Sequence, residues 1–247
     1  MWNKKLLLGF LALTVLSCSK DRTIYKVDNK IKLEALPISL EYVRLKEGVF
    51  KQAQQADARW LLDLEPDRLL HRYRLYAGLE PKGEIYGGWE SRGISGHSLG
   101  HYLTACSLMY AATGDEIYKE RVDYIIEELA LCQNQYGNGY VGAIPEQDRI
   151  WSEVASGDIR SQGFDLNGGW VPWYTQHKLW AGLIDAYKFG GNEQALTVVS
   201  KLSDWAYETF SGLTEAQFQE MLACEHGGMN ESLADLYAIT GNENYLE

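Results

Sequence analysis

Thr113-Gly114-Asp115-Glu116, Gly190-Gly191-Asn192-Glu193 and Thr240-Gly241-Asn242-Glu243 are three copies of one turn, each closing a helix-like stretch. Glycine takes the left-handed backbone that stops a helix, Asp or Asn caps the next one, and Glu falls where a helix N-terminus favours negative charge. Each copy therefore predicts an αα-hairpin. About one helix length before each turn stands a histidine: His101 lies 13 residues before Gly114, His177 lies 14 before Gly191 and His226 lies 15 before Gly241. At 1.5 Å per residue this is roughly 20 Å of helix, so stacked hairpins carry the three imidazoles to one end of the molecule. A shift of one residue turns a side chain by about 100°, so the unequal spacings predict a shared end more firmly than a shared direction.

Working outward, residues 98–113 carry the stripe Leu99, Tyr102, Leu103, Cys106, Met109 and Tyr110, and residues 116–133 carry Tyr118, Val122, Ile125, Ile126, Leu129 and Cys132. Both have helical spacing and form the first hairpin. Residues 174–210 predict the second, residues 214–224 a short amphipathic helix, and residues 230–239 the first helix of the third. Apolar residues from Leu40 to Leu64 also keep helical spacing and predict one helix ended by Pro66, with a short helix over residues 67–76. Residues 136–173, rich in glycine and aromatics, read as a long loop, and loops of that length inside a domain are usually functional. The third hairpin is unfinished at Glu247, and a helical toroid needs about six hairpins to close, so the fold class read here is all-α, an incomplete (α/α)6 toroid.

The chain starts with Met1-Trp2-Asn3-Lys4-Lys5, an apolar run over residues 6–16, and Ser17-Cys18. A basic start, a greasy core too short to span a bilayer and a small residue before cysteine predict a signal peptide over residues 1–17. Val15-Leu16-Ser17-Cys18 resembles a bacterial lipobox, which makes Cys18 the lipidated first residue of a periplasmic or cell-surface lipoprotein held to the outer or cell membrane. The alternative is an ordinary secretory signal with Cys18 incidental. Residues 18–37 mix charge with few apolar side chains and read as a tether. A net charge of −11 argues against nucleic acid as a partner. Besides Cys18 there are Cys106, Cys132 and Cys224, an odd number with no close pair, so no disulfide framework is suggested. Cys106 and Cys132 fall in apolar stripes and read as core.

Eight Trp and sixteen Tyr are present, many of them in glycine-rich loops, where flat aromatic faces suit the apolar C–H edges of sugars. In GGWESRGISGHSLGHYL, residues 87–103, Trp89 offers such a face, Glu90 and Arg92 offer charge, and Ser95 is placed to cap the helix carrying His97 and His101. Those two histidines share one side, but no Glu stands between them and no third ligand is indicated, so no metal is assigned. In GGWVPWYTQHKLWAGLIDAY, residues 168–187, an aromatic loop delivers His177 at a helix start. In Cys224-Glu225-His226-Gly227-Gly228-Met229-Asn230-Glu231 the thiol and imidazole are near neighbours pointing in different directions, which argues against a nucleophilic pair, and Glu231 reads as a cap or a cleft-lining group. Nothing in the spacing selects a pair of hydrolytic carboxylates among Glu90, Glu146, Glu153, Glu225 and Glu231.

GGWESRGISGHSLGHYLTACSLMYAATGD, YTQHKLWAGLIDAY and EHGGMNESLADLYAITGNENYL, taken together and in this order, resemble the N-terminal half of the β-L-arabinofuranosidase superfamily, glycoside hydrolase families 127 and 146. The resemblance implies an (α/α)6 toroid with β-sandwich domains after it, with residues 38–247 as the N-terminal part of the catalytic domain. It implies removal of terminal β-L-arabinofuranose from plant glycans with retention, by a cysteine nucleophile held on zinc and a glutamate acid/base. The motifs that carry those groups have no counterpart here and would lie past Glu247, so no catalytic residue and no cofactor is assigned within this chain, and zinc is expected only in the full-length enzyme. His177 and His226 match histidines that contact arabinose in that family. Trp89, Glu90, His97 and Glu231 join them as substrate-binding candidates on the local reading alone. The expected partner is an arabinose-containing glycan. Two other readings stay open, a non-catalytic helical glycan-binding lipoprotein and another toroidal carbohydrate-active enzyme such as a lyase. Repeat binders of the tetratricopeptide type recur every 34 residues. The turns here are 77 residues apart (114 to 191) and then 50 (191 to 241), which disfavours the former.

Overall fold

All three turns form as their residues dictate. Gly114 (φ +76°), Gly191 (φ +66°) and Gly241 (φ +73°) take left-handed backbone. The side chain after each glycine then caps the next helical segment: Asp115 accepts the Ile117 N–H, Asn192 the Ala195 N–H and Asn242 the Asn244 N–H. The structure, a computed structural model, describes residues 24–247; the signal segment and Cys18 lie outside the described residues.

In chain order the helices are α1 (Val49–Asp63), α2 (Pro66–Leu69), α3 (His71–Tyr76), α4 (Trp89–Arg92), α5 (His97–Thr113), α6 (Glu116–Tyr136) and α7 (Gln147–Ala155). After them comes a three-stranded antiparallel sheet, β1 (Ser161–Gln162), β2 (Asp165–Leu166) and β3 (Gly169–Trp170). The chain continues with α8 (Pro172–Lys188), α9 (Glu193–Phe210), α10 (Glu215–Met221), α11 (Met229–Thr240) and a 3-10 turn (Glu243–Leu246). The hairpins α5–α6 and α8–α9 stack side by side, α5 on α8 and α6 on α9, and α11 continues the first row by packing on α8. First helices neighbour first helices and second neighbour second, the two-layered order of an α/α toroid. The fold is all-α of the toroid type.

Glycine sets the distance within the first row. A Cβ on Gly100 would stand 2.0 Å from the Lys178 carbonyl oxygen, and one on Gly182 would stand 2.5 Å from the Gly100 carbonyl oxygen. Only two bare backbones allow so close a crossing. It occurs one residue from both His101 and His177, which is why those residues stand at the same end. Around it the core holds Leu99, Leu103, Leu179, Trp180 and Leu183 without solvent contact, and Trp180 donates its indole N–H to Ser203 Oγ at 2.8 Å. Cys106 and Cys132 are buried core residues, as their stripes require.

Two expectations are corrected. Residues 40–64 do not form one helix: a 3-10 turn spans Leu40–Tyr42, and α1 begins only after Gly48, whose φ of +151° breaks the helical path. Most of its apolar stripe accordingly misses the core, and Leu40, Val43, Leu45, Val49, Phe50 and Trp60 are exposed, while Leu61 near its end is buried. Residues 136–173 are not a plain loop. They contain α7, whose Ile150, Trp151 and Val154 face the core, and the small sheet, in which Asn167 (φ +52°) and Gly168 (φ +80°) make the two-residue turn that favours Asn-Gly.

Candidate functional site

The N-terminal ends of α5, α8 and α11 lie together, and the histidines come with them. His97 and His101, one turn apart on α5, meet edge-on with ring centres 6.2 Å apart, and the exposed Trp89 ring lies 6.1 Å from His97. His101 faces the start of α8, and His177 there lies close enough to feel both His101 and His226. The imidazoles of His101, His177 and His226 thus stand at one end of the molecule. His71 stands elsewhere, with Nδ1 2.8 Å from the Gly83 carbonyl oxygen.

Each ring is held differently. His97 is buried, and its Nδ1 faces the Ile94 carbonyl and Glu90 Oε1, the latter at 3.2 Å, so the proton of the neutral ring sits on Nδ1. Glu90 is also buried, and both its oxygens are engaged: Oε2 accepts the Gly96 N–H (2.9 Å) and the Ser95 hydroxyl (3.3 Å), and Oε1 accepts the Ser98 N–H (3.2 Å). This replaces the expectation that Ser95 caps the helix. Glu90 is the group that satisfies the opening N–H donors of α5, and its carboxylate orients the helix start instead of facing an opening. Burial pushes its pKa up, but hydrogen bonds from His97, Ser98 and Gly96 outweigh that and leave it lowered.

His177, half-buried, is held by the segment that leads into α11. The Gly228 N–H donates to His177 Nδ1 at 3.0 Å, so a neutral ring carries its proton on Nε2 and keeps that donor available. Gly227 and Gly228 are required there, because a Cβ on either would come within 2.7 and 2.9 Å of ring nitrogens. Burial lowers the His177 pKa to about 4, helped by Lys178, His101 and His226, so the ring is uncharged at neutral pH. Burial also lowers His101, with Lys178 and then His97 contributing. His226 is half-buried and lines a cleft of about 640 Å³ between α9, α10 and α11. Glu231 is exposed in the first turn of α11, with Oε2 3.4 Å from where a Gly228 Cβ would stand.

Sequence reading missed two parts of this arrangement. Lys178 stands with its ammonium 4.5 Å from the Tyr174 ring centre and is lowered by burial against the raising influence of Glu225 and Glu231. The segment bearing His226 is pinned to the sheet, since Glu225 N–H donates to the Gly163 carbonyl at 2.8 Å and Ser161 Oγ donates to the Met221 carbonyl at 3.2 Å. Asn167-Gly168 was the signal for that sheet. Val171, which joins it to α8, is a buried β-branched residue at φ +40°, a strained conformation held by its N–H bond to the Phe164 carbonyl and by Pro172.

No thiolate is available at this end. Cys224 is buried with Sγ directed to the Glu225 carbonyl, and burial raises Cys106 and Cys224 to about 11 and Cys132 to about 12. Among the described residues no group of three or more His, Cys, Asp or Glu side chains is placed to hold a metal ion. The zinc expected of the full-length enzyme therefore does not fit the described residues.

Stacked helical hairpins with imidazoles and the exposed Trp89 at one end define the chain as an α/α toroid in form. Its sequence matches the β-L-arabinofuranosidase GH127 catalytic domain over residues 42–247, and the chain belongs to that family. No curated protein matches it. Among solved structures it is similar in fold to the crystal structure of Ara127N-Se, a GH127 β-L-arabinofuranosidase from Geobacillus stearothermophilus T6, with TM-score 0.55 and 22% identity over 82% of this chain and 31% of that one. The chain thus spans about a third of the length of that enzyme.

Proposed function

We propose that this chain supplies the sugar-holding end of a glycoside hydrolase that removes terminal β-L-arabinofuranosyl residues from plant-type glycans. The observation that carries the reading is the His177 ring: neutral, fixed through Nδ1 by Gly228, and left with an Nε2–H to donate to a sugar hydroxyl. His226 and His101 stand close by as further hydroxyl partners, Trp89 offers an apolar face, and Lys178 offers a donor at the same end. His97 and Glu90 act behind them as positioning residues, fixing the start of α5. Glu231 lines the approach. Family membership and toroid fold support the substrate class.

No bond-breaking step is assigned to the described residues, which lack both a thiolate and a metal-holding set. Residues 18–247 are therefore expected to bind L-arabinose without hydrolysing an arabinofuranoside. Isothermal titration checks the binding: His177→Ala abolishes measurable affinity for L-arabinose in a protein that still melts cooperatively. Unchanged affinity contradicts the proposal, and turnover by residues 18–247 contradicts the placement of the chemistry. Anchoring through Cys18 places the protein at the cell envelope; labelling with a radioactive fatty acid that survives Cys18→Ala would rule that out.

A further inference from the structure

Outside the histidine end, the sheet β1–β3 forms an open cleft of about 600 Å³ lined by Gln162, Gly163, Phe164, Asp165, Gly168 and Trp170. Phe164 is 66% exposed and Trp170 39% exposed. Two large aromatics held out into solvent by a six-residue sheet are not core. The sheet itself is rigidly built, by the Asn167-Gly168 turn, by the Asn167 amide donating to Glu153 Oε2 (2.9 Å) and to the Asp158 carbonyl (2.8 Å), and by Arg149 donating to the Asn167 carbonyl (3.0 Å). Beside the two rings, Asp165 uses Oδ1 to accept the Gly168 N–H, while its Oδ2 and the Gln162 amide have no partner among the described residues. An apolar face flanked by a carboxylate oxygen and an amide is what a sugar ring requires, since its C–H surface stacks and its hydroxyls need both donors and acceptors.

Two contacts join the sheet to the histidine end. Trp170 packs beside Gly93, where an added Cβ would meet its ring at 3.3 Å, and Gly93 closes the short helix α4 that carries Trp89 beside His97. Gly163 accepts the N–H of Glu225, the residue before His226. We propose that this sheet is a second sugar subsite, in which the residue next to the terminal arabinofuranose stacks on Phe164 and Trp170 while Asp165 and Gln162 take its hydroxyls. The terminal sugar goes to His177, so this inference rests on the function proposed above. The preferred ligand is then an oligosaccharide of two or more units and not a free monosaccharide.

Titration of the chain with L-arabinose and with a linear arabinofuranosyl trisaccharide tests it. Wild type is expected to bind the trisaccharide about tenfold or more tightly than arabinose, a gain that Phe164→Ala and Trp170→Ala remove while leaving arabinose affinity within about twofold. Trp170→Ala opens a gap beside Gly93, so its melting curve is recorded, and the exposed Phe164→Ala decides if it fails to fold. Equal affinity for the two ligands, or a gain that survives Phe164→Ala, overturns the subsite. His177→Ala separates the two claims: loss of arabinose binding in that variant leaves the proposed function standing even where the subsite fails, and unchanged arabinose binding removes the reading beneath both.

Discussion

His97 and His177 both lie in the N-terminal part of the first helix of a hairpin, His97 as the first residue of α5 and His177 as the sixth of α8, yet the protein treats them in opposite ways. His97 is shut behind Trp89 with its Nδ1–H turned inward to Ile94 and Glu90. His177 instead accepts a neighbouring backbone N–H at Nδ1, which leaves its Nε2–H without a hydrogen-bond partner among the described residues. The partners set the tautomers: a ring that donates through Nδ1 serves its own scaffold, and one that accepts there presents a donor at Nε2. A histidine at a helix start is therefore not a binding group by position alone.

The largest expected effect attacks what brings α5 and α8 together. Gly100→Ala puts a Cβ 2.0 Å from the Lys178 carbonyl oxygen, which flexible side chains cannot relieve. Urea unfolding should show a loss of about 3 kcal/mol, with L-arabinose affinity lost as α5 and α8 separate. A variant as stable as wild type would mean that the helix crossing does not depend on bare glycine backbone.

Next is the scaffold side of the comparison. Glu90→Ala strands the N–H groups of Gly96 and Ser98 and should cost about 2 kcal/mol, with a smaller effect on sugar affinity than His177→Ala. The Glu90 pKa is lowered by folding, so its contribution is present above the usual value of 4.5 and is lost as pH falls through the folded value. Wild type should lose more stability below that pH than the variant. Parallel acid-unfolding curves for the two proteins would contradict the capping role.

Gly228→Ala touches the presenting side only. Gly228 has φ −112°, which alanine tolerates, but the new Cβ lies 2.9 Å from His177 Nε2. Stability should fall by no more than about 1 kcal/mol while L-arabinose binds at least about tenfold more weakly. Retained affinity would mean that the face at Nε2 is not where the sugar goes. Smallest is Asn192→Ala, far from both rings, which removes a cap for about 1 kcal/mol and leaves binding unchanged.

The sequence carried the hairpins because their turns are local chemistry: left-handed glycine, a capping Asp or Asn and a first-turn Glu act within four residues. It carried the common end of the histidines because helix length is fixed by residue count. How closely α5 and α8 approach depends on a crossing at Gly100 and Gly182, and a glycine inside a helix does not announce which backbone it will meet. Glu90 read as a charge offered to a ligand because its partners, the N–H groups of Gly96 and Ser98, exist only once α5 begins where it does. Spacing overreached at residues 40–64, where helical periodicity ran across Gly48 and a turn that periodicity does not register. The sheet was legible in principle, since Asn167-Gly168 is a hairpin signal, but its six strand residues were hidden among glycines that also read as loop.

The state of the His177 ring, read from its side-chain nitrogen shifts by NMR across a pH series with and without L-arabinose, is the most direct test of the sugar-holding role. The expected result is the Nε2–H tautomer, no protonation until about pH 4, and an arabinose-dependent shift at His177 Nε2 that is absent at His97. A His177 that titrates at the usual histidine value of 6.5, or whose nitrogens ignore the sugar, would contradict it.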